Sequence, residues 1–442
     1  TEQQDTGYWY SPYLKQDLGE KNVFRERAQA LWQARESLSF LLKFEAEQND
    51  SQISSGKFFG DNSTNGDPCP DFKHPAHCVD VAGFTDTNPD PFTVSTAHNA
   101  PYNSDSKNVT LHINDDLGWA QLTAITGYID FSRQFYIDAD AEPLAFAEFD
   151  QNDQVQQASQ EIRLAGNAGG VEWVAGTYFS YDKVHSFTPG TLRDLAGADV
   201  FIHSDQITHS EAVFGQAKWP ITDQLTLITG LRVSHEDRSY VGGSEFFLAG
   251  TNIAFPCPGL CPTFEDASIK DTSLSWHAGL NWKPSENTLV YFSAAESTKS
   301  GGFFNGITFQ SEALAPYKPE HLTDYEVGVK SNFFDGKAQI DGSVFYYDYH
   351  NYQAQTFTSV GLVSLIKLGN IPYANVYGLD LGATWLPVDG LSLRAGLGLL
   401  STRLGAFSVG VPVPGGNEMP DAPDTSFNGT IRYEHSLFEG FT

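Results

Sequence analysis

The sequence predicts an all-β protein, a large antiparallel β-barrel whose tilted strands cross a membrane. Three observations predict it. Apolar and polar residues alternate with period two over long segments, the connectors between these segments are short and long in strict turn, and the composition suits a half-lipid surface. Charged residues make up 18% and aromatic residues 13% of the 442 positions, fewer charges and more rings than a soluble domain carries.

The alternation is read strand by strand. Leu225, Leu227, Thr229, Leu231 and Val233 share one parity, against Thr226, Ile228, Gly230, Arg232 and Ser234. Thr323, Tyr325, Val327, Val329, Ser331 and Phe333 oppose Asp324, Glu326, Gly328, Lys330 and Asn332. Ala338, Ile340, Gly342, Val344 and Tyr346 oppose Gln339, Asp341, Ser343, Phe345 and Tyr347. Leu391, Leu393, Ala395, Leu397 and Leu399 oppose Ser392, Arg394, Gly396, Gly398 and Leu400. Successive strand side chains point to opposite faces, so one face is apolar and the other polar or glycine.

These segments run about 10–15 residues, the length of a tilted strand crossing a bilayer, where sandwich strands average about 5–6. A face carrying Asp, Glu, Lys, Arg and Asn would also ruin the dry core of a sandwich. Inside a wide barrel it lines water or a polar plug.

The short connectors are tight polar turns, among them Asp115, Asp116, Leu117 and Gly118, then Asn167, Ala168, Gly169 and Gly170, then Asp335, Gly336 and Lys337, and Asp389 with Gly390. Asp-Gly and Gly-Gly supply the positive φ that such turns need. Long loops are expected over residues 49–106, 134–153, 183–206, 241–270, 301–320, 351–368 and 403–420. Short turns at one rim and long loops at the other are the build of outer-membrane barrels, and about fifteen strands are expected, where such barrels have an even number. A long loop is expected over residues 1–21 and a short turn just before 437–442, so the chain reads as part of a barrel wall, 1–442 forming one partial barrel domain.

No stretch approaches the 18 apolar residues of a membrane helix. The start, Thr1, Glu2, Gln3, Gln4, Asp5, has no signal-peptide pattern, so an exported form is expected to have been processed or to begin elsewhere. The net charge of −29 disfavours nucleic acid. Much of the acid falls in loops, either as a solvated surface or as groups bridged by divalent cations to lipopolysaccharide. Cys69 with Cys78 and Cys257 with Cys261 lie nine and four residues apart among prolines. These spacings match no common zinc pattern and suit two local disulfides of an oxidising compartment.

No nucleophile elbow, Walker loop or zincin motif is present. Asp138 and Asp140 lie close in sequence, as many loop acids do, and no enzyme is expected. Asp86, Asn88 and Asp90 open with the rhythm of a calcium loop, but Pro91 takes the place of its glycine and Ala97 that of its last glutamate. An acidic surface loop is expected there, and no metal or cofactor.

Thr298, Lys299, Ser300, Gly301, Gly302, Phe303, Phe304, Asn305 and Gly306 form a segment that resembles one of TonB-dependent receptors. Tyr317, Lys318, Pro319 and Glu320 follow at that family's spacing, then Asp324 through Ser331 and the strand ending near Gln353. Gly215, Gln216 and Ala217 with Gly230, Leu231 and Arg232, Ser159 through Leu164, and Asn375 through Asp380 also resemble it. The resemblance spans residues 17–433 in consistent order. It implies a 22-stranded barrel with a plugged lumen, here without its N-terminal plug domain, its energy-coupling motif and its last strands.

What the resemblance implies functionally is energised import of a scarce nutrient (a siderophore-bound iron, a vitamin or an oligosaccharide-like ligand) across the outer membrane of a Gram-negative cell. The implied partners are the TonB-ExbB-ExbD complex, acting through the plug, besides lipid and lipopolysaccharide. Substrate would bind between extracellular loops and the plug apex, which makes Phe303, Phe304, Asn305, Tyr352 and Phe357 candidate ligand contacts; taken singly, a Phe in a surface loop is better suited to packing its own loop. Glu326, Lys330, Arg232 and Arg394 are candidates for meeting the plug, or are solvated luminal charges. Gly301 and Gly302 mark a bend or a close approach of two backbones. The rival readings are a passive porin-like channel and a surface enzyme or adhesin on a barrel.

Overall fold

The computed structural model describes residues 2–435 apart from 54–55, 58–61, 64–77, 80–82, 139–140, 257–260, 305, 307–313, 361–362 and 409–411. Its body is one sixteen-stranded antiparallel sheet in which each strand pairs with its neighbours in chain order. The strands are β1 (Glu2–Asp5), β2 (Lys21–Arg35), β3 (Leu38–Gln52), β4 (Pro101–Asp116), β5 (Gln121–Asp138) and β6 (Glu148–Ala168). Then come β7 (Val171–Leu192), β8 (Ala198–Pro220), β9 (Leu225–Leu248), β10 (Thr263–Ser285) and β11 (Thr288–Lys299). The last are β12 (Glu320–Phe333), β13 (Ala338–Val360), β14 (Val363–Trp385), β15 (Leu391–Leu404) and β16 (Thr425–Tyr433). One helical turn, Arg193–Ala196, joins β7 to β8.

The pairing register makes this sheet a staggered wall. Leu38 pairs with Asp115, which pairs with Leu122, and the row continues through Leu164, Ala175, Gly215, Leu231, Trp276, Glu296, Thr323, Asp348 and Asn375 to Arg403. Leu38 opens β3 beside a short turn, while Arg403 ends β15 beside a long connector. One row therefore climbs from rim to rim, the stagger that strand tilt in a barrel requires.

Cross-strand partners share a face, so the rows sort the side chains. Phe292, Val327, Val344, Leu379 and Leu399 form one continuous row over five strands. Val327 and Val344 are 48% and 50% exposed, open to lipid rather than to a protein core. Above them Tyr325, Tyr346 and Tyr377 stand side by side, with ring centroids 6.4 and 4.9 Å apart. The next row up, Thr323, Asp348 and Asn375, is polar, and Asn375 Nδ2 donates to Asp348 Oδ1 at 3.1 Å. At the short-turn rim Trp32 stacks on Phe40 at 5.1 Å, and Trp282, Phe333 and Trp385 are exposed on the same outer parity. Between Tyr377 and Trp385 lies a run of about nine residues, enough for a tilted strand to cross the hydrocarbon.

The inner face is polar. Arg27 pairs with Glu45 at 2.9 Å and Lys218 with Glu172 at 3.1 Å, each across adjacent strands. Such exposed pairs contribute little stability; their effect is to keep charge off the lipid side.

Two expectations change. Residues 183–206, 241–270 and 351–368, expected as loops, are mostly strand: β7 reaches Leu192, β9 reaches Leu248, and β13 and β14 extend to 360 and from 363. Individual strands therefore reach 24 residues. Beyond the tyrosine row both faces meet water, so the apolar alternation ends while the backbone ladder continues. Small apolar clusters hold these extensions, one of Phe149, Leu192, Val200, Ile202 and Phe246, the other of Ile371, Ala374 and Leu404. The expected opening loop over residues 1–21 likewise holds β1 and a hairpin of Trp9–Ser11 with Gln16–Leu18. Cys78 and Cys261 are disulfide-bonded, whereas Cys69 and Cys257 lie outside the described residues.

The face assignment predicts a sharp asymmetry. Val329→Arg, in the middle of the lipid face, should cost about 2–4 kcal/mol, as charges at a barrel's midplane do. Gln339→Arg, on the inner parity of the next strand, should leave stability nearly unchanged. Denaturant titration of the protein folded into lipid vesicles measures both.

Candidate functional site on the inner wall and outer rim

The inner wall keeps its large side chains flat. A Cβ at Gly378 would fall within the ring of Phe345, one at Gly328 within the ring of Tyr291, and one at Gly176 against the ring of Phe214. Each glycine thus serves as a bed for a ring of the adjacent strand, and the ring lies along the wall instead of projecting into the lumen.

Tyr291 joins two of the charges singled out in the sequence. Its hydroxyl donates to Glu326, and the Lys330 ammonium stands 5.8 Å from its ring centroid. Arg232 lies on other strands' rings, 5.6 Å from that of Tyr178 and 5.7 Å from that of Phe214, and its Nε donates to Ser234 Oγ at 3.0 Å. Arg394 is exposed on β15 and has no ion pair among the described residues. Glu326 and Lys330 therefore share Tyr291 as a neighbour, while Arg232 and Arg394 stand apart from them on the wall.

A strap crosses the inner wall where β11 gives way to the long connector before β12. Gly302 and Tyr317 exchange backbone hydrogen bonds of 3.2 and 2.8 Å. A Cβ at Gly301 would stand 2.5 Å from the Tyr317 carbonyl oxygen, and one at Gly302 would strike the Tyr317 ring and Arg238. This is the close backbone approach expected at the two glycines. Arg238 on β9 fastens the strap: it donates to the Gly301 carbonyl at 2.5 Å and to Glu236 Oε1 at 2.6 Å. The other Glu236 oxygen accepts from Ser210 and Ser300 hydroxyls, each at 3.2 Å. From the opposite side Gln353 Nε2 donates to the carbonyls of Ser300 at 2.9 Å and Lys318 at 3.2 Å, and Asn370 brackets Lys318 with bonds of 2.8 and 2.9 Å. Burial raises the pKa of the Tyr317 hydroxyl, partly offset by nearby Arg238.

The strap decides where the candidate ligand contacts lie. Phe303 is only 7% exposed and stacks on Tyr240, centroids 4.8 Å apart. Phe304 is half-buried beside it. Tyr352 packs against the Ile371, Ala374 and Leu404 cluster and sets its ring edge to Tyr349 at 5.4 Å. Phe357 pairs through its backbone with Ile366 in the β13–β14 hairpin; its side chain, and Asn305 altogether, fall outside the described residues.

A second feature at the long-connector rim was not foreseen. Tyr8, Trp9 and Phe92 gather with centroids 5.5 to 6.0 Å apart, and Tyr8 and Phe92 are more than half exposed. Tyr10 N donates to Phe92 O at 2.9 Å and Val94 N to Tyr10 O at 3.0 Å, so the 9–18 hairpin docks on loop 84–96 as an aromatic ledge. Asp90 turns the chain under it. Its carboxyl is held below the ordinary value by the Phe92 backbone N–H, then by the Thr93 hydroxyl.

An antiparallel wall that is apolar outside, charged inside and joined alternately by short turns and long connectors defines an outer-membrane β-barrel. Residues 37–442 match the family described as TonB dependent receptor-like, beta-barrel, and the chain belongs to that family. It is 24% identical over 162 residues to the probable TonB-dependent siderophore receptor PiuA of Acinetobacter baumannii, covering 34% of this chain and 21% of that protein. In fold it is similar to the ferric yersiniabactin uptake receptor FyuA of Yersinia pestis, with TM-score 0.73 at 16% identity over 97% of this chain and 59% of that one. The structure of PiuA from Acinetobacter baumannii gives 0.68 at 15% identity over 98% and 64%. The chain thus spans less than two thirds of the length of each.

Two outcomes follow from this geometry. Arg238→Ala leaves Glu236 without its cation and Gly301 without its donor, at a cost of about 1–3 kcal/mol for hydrogen bonds to charged groups; amide exchange should rise at 299–303 and 317–320 and stay low in β9. Because the folded Asp90 pKa is depressed, its contribution is complete above the unfolded value of 3.8 and is lost as pH falls through the lower folded value. Acid exchange at residues 86–94 should therefore steepen below that value in the native protein and be flat in Asp90→Asn.

Proposed function

We propose that this chain forms most of the barrel wall of a receptor that imports a scarce nutrient, foremost a siderophore-bound metal, across the outer membrane with energy delivered through TonB. Membership of the receptor-barrel family over residues 37–442 supports the reading most, and the similar proteins PiuA and FyuA are a siderophore receptor and a ferric yersiniabactin receptor. The inner wall agrees with a plugged lumen. Its rings lie flat on glycines, leaving room for a folded domain, and Arg232 and Arg394 offer cations toward it. In this reading a plug domain fills the lumen, further strands extend the sheet beyond β1 and β2 at one side and β16 at the other, and the TonB-ExbB-ExbD complex acts on the plug. Lipopolysaccharide surrounds the rim above the tyrosine row, where the outward side chains turn polar.

The strap suits this role because it anchors a long connector to the wall at its base. Ligand contacts are then expected from the exposed rim aromatics Tyr8 and Phe92, rather than from Phe303 under Tyr240.

Deletion of the encoding gene tests the proposal. Expression should rise under iron limitation, and uptake of labelled ferric chelates by iron-starved cells should fall in the deletion strain. Uptake by the parent strain should stop when the proton-motive force is collapsed. Entry that survives such collapse would identify a passive channel instead.

A further inference from the structure

Asp86, Asn88 and Asp90 carry a calcium-loop rhythm that breaks at Pro91 and Ala97. In the folded chain that rhythm is real. Asn88 N donates to Asp86 Oδ1 at 2.8 Å, Asp90 N to Asn88 Oδ1 at 2.9 Å, and Phe92 N to Asp90 Oδ1 at 3.0 Å. These turns aim the carbonyl oxygens of Asn88, Asp90 and Thr93 at one point. The point is occupied by Lys57 Nζ, which donates to them at 2.6, 2.7 and 3.1 Å.

An ammonium has three donors, and three carbonyls take them. The carboxylate of Asp86 completes the surroundings: Oδ2 lies 3.6 Å from the same nitrogen and accepts no hydrogen bond among the described residues. Asp86 is 4% exposed, and the Lys57 side chain 8%. A buried anionic oxygen aimed at a cation that three carbonyls already surround is the donor set of a hard metal ion, and here a side chain supplies the charge that the buried carboxylate requires.

We infer that residues 86–93 form a calcium-type oxygen cage whose resident cation is the chain's own Lys57, so that the aromatic ledge is held without a dissociable metal. Lys57 is a positioning residue for that ledge. The cage carries Phe92, whose carbonyl receives Tyr10 N, and through it the hairpin bearing Tyr8 and Trp9. A calcium-held rim loop would open whenever chelators removed the ion; a tethered ammonium does not leave. That advantage rests on the proposed uptake of a metal chelate, whereas the cage itself does not.

The test uses the full-length protein in detergent, with calcium as the probe, followed by amide exchange and isothermal titration. The native protein should bind no calcium in this loop, and exchange at residues 8–18 and 84–98 should be the same in EDTA and in calcium. In Lys57→Met those segments should lose protection in EDTA and regain it in calcium, with about one ion bound per chain and a dissociation constant on the order of 10⁻⁴–10⁻³ M, as for extracellular modules. Lys57→Met/Asp86→Asn should lose protection in both conditions. Strand exchange in β9 to β13 serves as the folding control, since among the described residues the cage bonds to none of those strands. Native protein that loosens in EDTA, or Lys57→Met that stays protected without metal, or loosens and ignores calcium while β9 to β13 remain protected, would overturn the inference.

Discussion

Inside hydrocarbon no water is available to pair a backbone N–H or C=O, and every other feature of this wall depends on that constraint. A strand can cross only if each edge finds a neighbour, so the sheet runs in simple up-and-down order and tilts through a register that climbs from Leu38 to Arg403. The ladder also frees the side chains from any duty of closing a core. One parity is left to solubilise the wall in lipid and the other to build an aqueous interior. The same ladder continues past the tyrosine row of Tyr325, Tyr346 and Tyr377, where it is kept by pairing and small apolar clusters rather than by lipid.

How much of this was legible in the sequence follows from where the environment imposes contrast. Between Phe333 and Tyr325, or Trp385 and Tyr377, one face meets lipid and the other water, and the alternation marks each strand and its direction. Above that band both faces are wet, the contrast vanishes, and the strand ends of β9, β13 and β14 read as loops. The turns at Gly336 and Gly390 were legible because their positive φ leaves glycine the natural choice. Gly301 and Gly302 announced a close approach, but not its partner, since Tyr317 and Arg238 lie far along the chain.

The candidate site shows the same division. The sequence named the charges Glu326, Lys330, Arg232 and Arg394 as inward-facing from their parity. It could not say which of them share a neighbour, because that depends on a third residue, Tyr291, which sits opposite Gly328 on the adjacent strand. Aromatic residues near the mouth were chosen by type alone. Type does not separate a ring that serves a ligand from one that packs on the wall, and it gave no sign that Phe303 stacks on Tyr240 of β9. The Lys57 cage escaped for a related reason: the loop's oxygens were visible as a motif, and its cation sits about thirty residues earlier in the chain, with no local pattern tying the two together.

The flat inner rings bring these observations together. A wide barrel has an interior surface with no opposing wall to pack against, so large inward side chains would either project into water or demand a filler. Resting Phe345 on Gly378, Tyr291 on Gly328 and Phe214 on Gly176 lets the sheet bury ring surface against its own backbone. The lumen keeps its width and presents edges, hydroxyls and cations, a surface on which a polar domain can sit without being interlocked. A wall interlocked with its contents through projecting side chains would resist their movement. A wall that packs against itself asks nothing of its contents, which suits the proposed plug, whose remodelling each ligand passage would require.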